Sequence, residues 1–289
     1  MYYNDNTVIF FNGQWLKAQD LKVSPYVQTL HYGSGVFEGI RSYETPDGTR
    51  IFKSEEHYKR LLYSAEKMHL KVDYTADEFT KLTYELLKQN NLGNAYIRPL
   101  IFAGANMSLT PTDEVHVMLC AWEWGKYLGS KLLDLTISSY QRPNPKSCHV
   151  DAKVTGHYVN SILATTEAKK NGFDEALLLD AQGHVAEGPG ANFFYEKNKV
   201  LYTPPLGNIL PGITRATIIE LCKELDIKLE ETYFTPEDVK GADSAFFVGT
   251  AAEVVGISSI DRVPFKLKWE DSLGSILQAK YIRRVAFNE

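Results

Sequence analysis

The chain has 289 residues, enough for one large domain or two of ordinary size. An apolar fraction of 44%, a charged fraction of 23% and a net charge of -5, without a dense Lys/Arg run, fit a soluble globular protein and argue against nucleic-acid binding. No apolar run approaches the roughly 18 residues of a membrane span, and Met1-Tyr2-Tyr3-Asn4-Asp5 lacks a basic-then-apolar leader, so neither a membrane nor a secretory signal is expected.

Val8–Phe11, Asn12-Gly13 and Gln14–Leu16 read as a strand, a two-residue turn and a return strand. Leu30 to Arg41 follows, with Gly33, Gly35 and Gly39 in seven residues, which suggests a tight turn or a close backbone approach. The glycine spacing is wrong for a dinucleotide fingerprint. Ser54 is expected to cap a helix from Glu55 to Met68 whose apolar face carries Tyr58, Leu61, Leu62, Ala65 and Met68. Thr75 and Glu78 form a capping box for a second helix to about Gln89, closed by Gly93. Ala95–Phe102 and Val115–Ala121 read as buried strands. Together these elements make a small α/β domain over 1–122. The stretch 123–131 loses the apolar pattern and reads as a linker. A larger domain over 132–289 then takes a strand at Leu135–Ser139, a helix from Tyr158 to Lys170 ended by Gly172, and strands at Ala176–Leu179 and Asn192–Tyr195. A helix at Thr214–Leu225, strands at Leu229–Tyr233 and Ala245–Val248, and a final helix at Ser272–Val285 complete it.

Chemistry gathers on a few stretches. Lys153 sits among small residues before Tyr158; a lysine amine loses its proton when desolvated and can then form a Schiff base. Glu187-Gly188-Pro189-Gly190-Ala191-Asn192 is turn chemistry carrying one carboxylate. Leu210-Pro211-Gly212-Ile213-Thr214-Arg215 opens a helix, where free N–H groups and the macrodipole favour an anion. Phe247 to Glu253 is a small-residue turn that offers the Thr250 hydroxyl and the N–H groups of Thr250 and Ala251; a plain helix N-terminus is the ordinary alternative. Arg60 flanks the apolar face of its helix with a fork suited to phosphate. Tyr96 and Arg98 point to one face of an otherwise apolar strand and need a polar partner; a structural ion pair would satisfy Arg98. Cys120, Cys148 and Cys222 are sparse and odd in number, which fits free thiols and a cytoplasmic location. Cys148-His149 has no second pair at ligand spacing, so no metal is expected.

In this order, His31-Tyr32-Gly33, Val36-Phe37-Glu38-Gly39-Ile40-Arg41, Tyr96-Ile97-Arg98-Pro99, Glu187-Gly188 and Leu210-Pro211-Gly212-Ile213-Thr214-Arg215 resemble the fold-type IV enzymes that use pyridoxal 5'-phosphate (PLP), and within them the branched-chain amino-acid aminotransferases. The resemblance runs from Phe11-Asn12-Gly13 to Gly249-Thr250-Ala251-Ala252-Glu253. It implies a mixed α/β, two-domain fold with PLP in the interdomain cleft, and a homodimer or larger assembly in which a loop of one subunit closes the pocket of the other. Lys153 would join the cofactor, Tyr158 bond its phenolic oxygen and Glu187 its ring nitrogen. Arg60, Gly212, Ile213, Thr214, Gly249 and Thr250 would hold its phosphate. Tyr32, Phe37, Gly39, Tyr96 and Arg98 would line the substrate pocket, with Arg98 on the distal carboxylate of glutamate and the N–H groups of Thr250 and Ala251 on the α-carboxylate. The substrates implied are amino acids and 2-oxo acids. Related enzymes often carry a polar residue where Ala191 stands, and no role is assigned to it. A D-amino-acid aminotransferase or aminodeoxychorismate lyase activity, or a binding protein that kept the fold, are the alternatives; retention of Lys153 argues against the last.

Overall fold

The computed structural model describes residues 2–125, 128 and 131–287, so part of the expected linker at 123–131 lies outside the described residues. The chain divides into two compact units. One takes the chain up to Gly125 together with Ala152–His157, and the other takes the remainder.

The first unit opens with β1 (Val8–Phe11) and β2 (Gln14–Lys17) around Asn12 and Gly13, whose φ values of 47° and 83° are those a two-residue hairpin turn requires. Then come α1 (Gln28–Tyr32), β3 (Gly35–Phe37), β4 (Ile40–Thr45), β5 (Gly48–Ile51), α2 (Ser54–Lys67), α3 (Ala76–Gln89), β6 (Ala95–Ala103) and β7 (Val115–Trp122). The sheet runs β2-β1-β7-β6-β4-β5, with β3 also on β6, and every pairing is antiparallel. Tyr58, Leu61 and Ala65 of α2 and Phe79 and Leu86 of α3 pack into one core with Ile40, Ile97, Ile101 and Leu119 of the sheet. Helical periodicity thus identified the buried face correctly.

Two helix ends differ from expectation. Ser54 is the first residue of α2 and does not cap it; Lys53 takes the N-cap position at φ 48°, and its side chain does not cap the helix. The Ser54 hydroxyl is held instead by Thr80 Oγ1 of α3 at 2.7 Å, so a tertiary partner outcompetes the local cap. The Thr75–Glu78 capping box on α3 is present in both directions. That helix is closed by Asn90 and then by Asn91 at φ 54°, ahead of Gly93, because asparagine also tolerates the left-handed region.

The lysine stretch does not follow the expected division into 1–122 and 132–289. Val154 bridges Val36, the Phe37 N–H donates to the Lys153 carbonyl at 3.1 Å, and the Lys153 N–H donates to Ser64 Oγ at 3.0 Å. The Gly156 N–H donates to the Gly33 carbonyl at 3.1 Å. Gly33 has φ 70°, and a Cβ there would stand 2.7 Å from the Gly156 Cα. The glycines of the 33–39 stretch therefore include one that lets two backbones touch.

The second unit holds β8 (Leu133–Gln141), α4 (Tyr158–Lys170), β9 (Glu175–Leu179), β10 (Val185–Glu187), β11 (Asn192–Lys197), β12 (Val200–Thr203), α5 (Ile213–Glu224), β13 (Leu229–Glu231), α6 (Pro236–Lys240), β14 (Ser244–Gly249), β15 (Glu253–Ile260), β16 (Val263–Pro264) and α7 (Leu273–Phe287). Its ladder runs β10-β9-β8-β15-β14-β11-β12-β13. Because β10 also pairs with β11, six of these strands close into a ring, which leaves no open edge around it. The closing pair is Glu187 opposite Asn192. Leu135, Leu177, Phe193, Tyr195, Phe247, Val255 and Ile257 fill one core of this unit. Among the described residues no helix is long and apolar enough to cross a membrane.

Thr75→Ala removes the capping box on an exposed helix end. It is expected to cost about 1 kcal/mol of stability, read as a lower urea midpoint with catalytic turnover unchanged.

Candidate active site

The strand turn β10–β11 brings the first group together. Glu187 is buried, and its Oε2 accepts from Asn192 Nδ2 at 2.9 Å while its Oε1 accepts from the Leu210 N–H at 3.1 Å. Arg142 Nε lies 2.8 Å from Oε1. Asn192 Nδ2 also donates to the Leu210 carbonyl at 3.0 Å, so the carboxylate is bound to the segment that opens α5. The α4 end is tied to the same turn, since Ser161 Oγ donates to the Pro189 carbonyl at 2.6 Å three residues after Tyr158. Ala191 packs against the core of this unit, and its Cβ lies 3.6 Å from where a Gly249 side chain would begin.

At the start of α5, Gly212 is the N-cap and no side chain caps it, so the first N–H groups of the helix are available to an anion. A Cβ on Gly212 would come within 1.9 Å of Asn192 Oδ1, which explains glycine there. Thr214 lies inside the helix, buried, and is not its cap. Phe247 to Glu253 is a hairpin turn: Gly249 pairs with Glu253 and the chain returns as β15, so the helix alternative is overturned. Thr250 and Ala251 are half-buried in that turn.

The other candidates belong to the first unit. Glu38, fully buried, sits at the junction of β3 and β4. Arg60 grips it with both prongs, Nε to Oε1 at 2.6 Å and an NH2 donor to Oε2 at 2.9 Å, and His57 Nδ1 adds a third contact to Oε2 at 2.8 Å. Burial alone would raise the Glu38 carboxyl, but Arg60 and His57 outweigh it and hold the group well below the usual carboxylate range. Burial lowers His57 despite Glu38, so the ring is neutral near pH 7 and its Nδ1–H must be the donor, since a carboxylate can only accept. Arg60 thus has a structural partner that sequence reasoning missed. His57, Arg60 and Ser64 each precede a buried residue of α2, namely Tyr58, Leu61 and Ala65; that second stripe at helical spacing was a readable signal. Lys153 is half-buried, and its Nζ lies 5.0 Å from the Phe37 ring centroid.

Arg98 stands over the same Phe37 ring at 4.5 Å, with the Tyr96 and Trp122 rings at 5.3 and 6.0 Å. One NH2 donor reaches the Tyr96 hydroxyl at 3.1 Å, and the buried Nε has no hydrogen-bond partner. Among the described residues no carboxylate pairs with it, so the ion-pair alternative fails. Cys120, its cross-strand neighbour, does not neutralise it either, because burial pushes that thiol up to about 11. Trp124 meets Tyr96 edge-on at 4.7 Å, and a Cβ on Gly39 would fall 2.1 Å from the Tyr96 hydroxyl. Arg41 is engaged with the Trp124 and Gly125 carbonyls at 3.3 and 2.8 Å. Tyr32 is 48% exposed, bonds the Met107 carbonyl, and is not among the rings around Arg98 within the described chain.

A profile of the family described as Amino-transferase class IV matches residues 35–260. The branched-chain-amino-acid aminotransferase of Pseudomonas aeruginosa is 44% identical over 260 residues, 88% of this chain and 85% of that protein. The crystal structure of the Escherichia coli branched-chain amino acid aminotransferase superposes with a TM-score of 0.94 at 37% identity, covering 97% of this chain and 95% of that one. The branched-chain amino acid aminotransferase from Thermobaculum terrenum, solved in its PLP form, gives a TM-score of 0.91 at 31% identity, over 98% of this chain and 95% of that one. The chain belongs to the class IV aminotransferases and, within that class, to the branched-chain-amino-acid aminotransferase family. Enzymes of this class use PLP. The residues present fit that group: a buried, charge-paired carboxylate at Glu187, an uncapped helix start cradled by Gly212, and a half-buried lysine.

Glu38 also sets a pH dependence. Its folded-state affinity for protons is depressed, so its stabilising contribution is complete above the roughly 4.3 of an unfolded glutamate and is lost as pH falls below that range. Glu38→Gln is expected to cost about 3–5 kcal/mol at pH 7 by leaving Arg60 buried without its charge partner. The gap from the parent protein in urea unfolding should shrink toward pH 3.

Proposed function

We propose that this protein transfers the amino group of leucine, isoleucine or valine to 2-oxoglutarate, giving the branched 2-oxo acid and L-glutamate in two alternating half-reactions. When bound, PLP supplies an electron sink for the negative charge that develops at the substrate Cα. Lys153 would be the amine that joins the cofactor, and its Nζ would carry the proton to and from that Cα. Tyr158 would donate to the phenolic oxygen of the ring, and Glu187 would accept from the ring nitrogen. Arg60, already oriented by Glu38, would hold the phosphate, as would the N–H groups after Gly212, at Ile213 and Thr214, and the Gly249–Thr250 turn. The N–H groups of Thr250 and Ala251 take the α-carboxylate in both half-reactions. Phe37, Gly39 and Tyr96 form apolar walls.

The observation that carries this reading is Arg98. A guanidinium enclosed by Phe37, Tyr96 and Trp122, with an unpaired Nε and no carboxylate partner among the described residues, suits a pocket that must hold an aliphatic side chain in one half-reaction and an acidic one in the other. Self-association is part of the reading: Tyr32 of the partner subunit would join Arg98 at the distal carboxylate. The three free cysteines accord with a cytoplasmic setting.

Arg98→Leu tests the assignment in single-turnover kinetics, with leucine on the aldehyde form of the cofactor and 2-oxoglutarate on the amine form. The 2-oxoglutarate half-reaction should fall by about 30- to several-thousand-fold in kcat/KM, the equivalent of roughly 2–5 kcal/mol for a desolvated charge pair. The leucine half-reaction should barely change, and equal losses in both would make Arg98 structural. Lys153→Ala should abolish turnover while leaving a folded chain; near-parental rates without added amine would sink the role given to that lysine.

A further inference from the structure

We infer that Arg142 is a positioning residue for Glu187, holding it as an oriented, ionised carboxylate ready for a cationic ring nitrogen. The inference rests on the reading that Glu187 faces that nitrogen. Arg142 directly follows β8. Its own N–H donates to the Leu179 carbonyl at 2.8 Å, next to Leu178, the cross-strand partner of Glu187, and this backbone bond puts its side chain beside the carboxylate. The two side chains are 8% and 6% exposed, with Nε and Oε1 2.8 Å apart.

The contact is one of charge more than of direction. Nε meets Glu187 without the geometry of a hydrogen bond, and the Arg142 side chain makes no hydrogen bond elsewhere among the described residues. A role as a mere strut would call for directed bonds to several groups. Two hydrogen-bond donors on the carboxylate, Asn192 Nδ2 and the Leu210 N–H, are neutral. They fix its orientation, but neutral donors leave a buried carboxylate prone to take up a proton. A guanidinium stays protonated throughout the working pH range and removes that tendency. The site therefore presents a full negative charge before the cofactor arrives and needs no reorganisation when it does.

The test compares dissociation constants for PLP and for 1-deaza-PLP, in which carbon replaces the ring nitrogen, on full-length protein freed of cofactor and reloaded. The parent protein should prefer PLP, and Glu187→Gln should remove the preference. Arg142→Met should reduce the ratio of the two constants by at least about tenfold, as expected when a buried ion pair loses one partner, and Arg142→Lys should keep most of it. If Arg142→Met does not fold, Arg142→Gln repeats the comparison with a polar, uncharged side chain. A scaffold role would weaken both ligands equally and leave the ratio unchanged; an unchanged or larger ratio overturns the inference. A parent protein with no preference for PLP would instead overturn the Glu187 reading itself, and the role of Arg142 with it.

Discussion

A carboxylate taken out of water must be met by donors and positive charge, and that constraint shapes both units. In the first, Glu38 lies at the junction of β3 and β4 with no access to solvent. Its oxygens draw His57 and Arg60 from α2 at fixed depth and rotation, since residues 57 and 60 must both face the strand junction. With α2 so placed, Ser64 one turn further on accepts the Lys153 N–H, and Phe37 beside Glu38 donates to the Lys153 carbonyl. A single buried charge thus orients the Arg60 guanidinium, Phe37 and the backbone of Lys153. Breaking one partner of such a group is strongly destabilising, whereas the intact set adds little net stability. The arrangement is better understood as specifying geometry than as strengthening the fold.

In the second unit the same constraint acts through topology. Glu187 and Asn192 are the residue pair that closes the ring of strands, and they are also side chains joined by a hydrogen bond. Asn192 extends the connection to Leu210 and so to the start of α5. The carboxylate, the ring closure and the helix N-terminus are consequently one mechanical assembly. The rigidity of a closed sheet is what allows this buried carboxylate to be held without mobile support.

Glycines mark the close approaches within each of these assemblies. Gly39 makes room for the Tyr96 hydroxyl that braces Arg98, and Gly212 makes room for Asn192. In each case the absent side chain admits a polar group that orients a charged one. Arg98, which has no counter-ion among the described residues, is tolerated because three aromatic faces surround it and lessen that cost.

Local sequence determined the features that neighbours along the chain can settle. Asn12-Gly13 set a turn because both residues accept positive φ. Thr75 and Glu78 capped α3 because they lie one helical turn apart. The 3.6-residue period of Tyr58, Leu61 and Ala65 marked the buried face of α2. The ordered set of motifs was also sufficient to indicate the family. Tertiary structure decided the rest, because the deciding partners are far apart in sequence. Ser54 abandoned its cap for Thr80, and the lysine stretch joined the first unit through Val36 and Ser64. Arg142 met Glu187 from a distant strand end with no local spacing to announce it. Periodicity and capping are properties of one segment, whereas the pairing of buried charges depends on which segments fold against each other, and no single stretch of sequence contains that information.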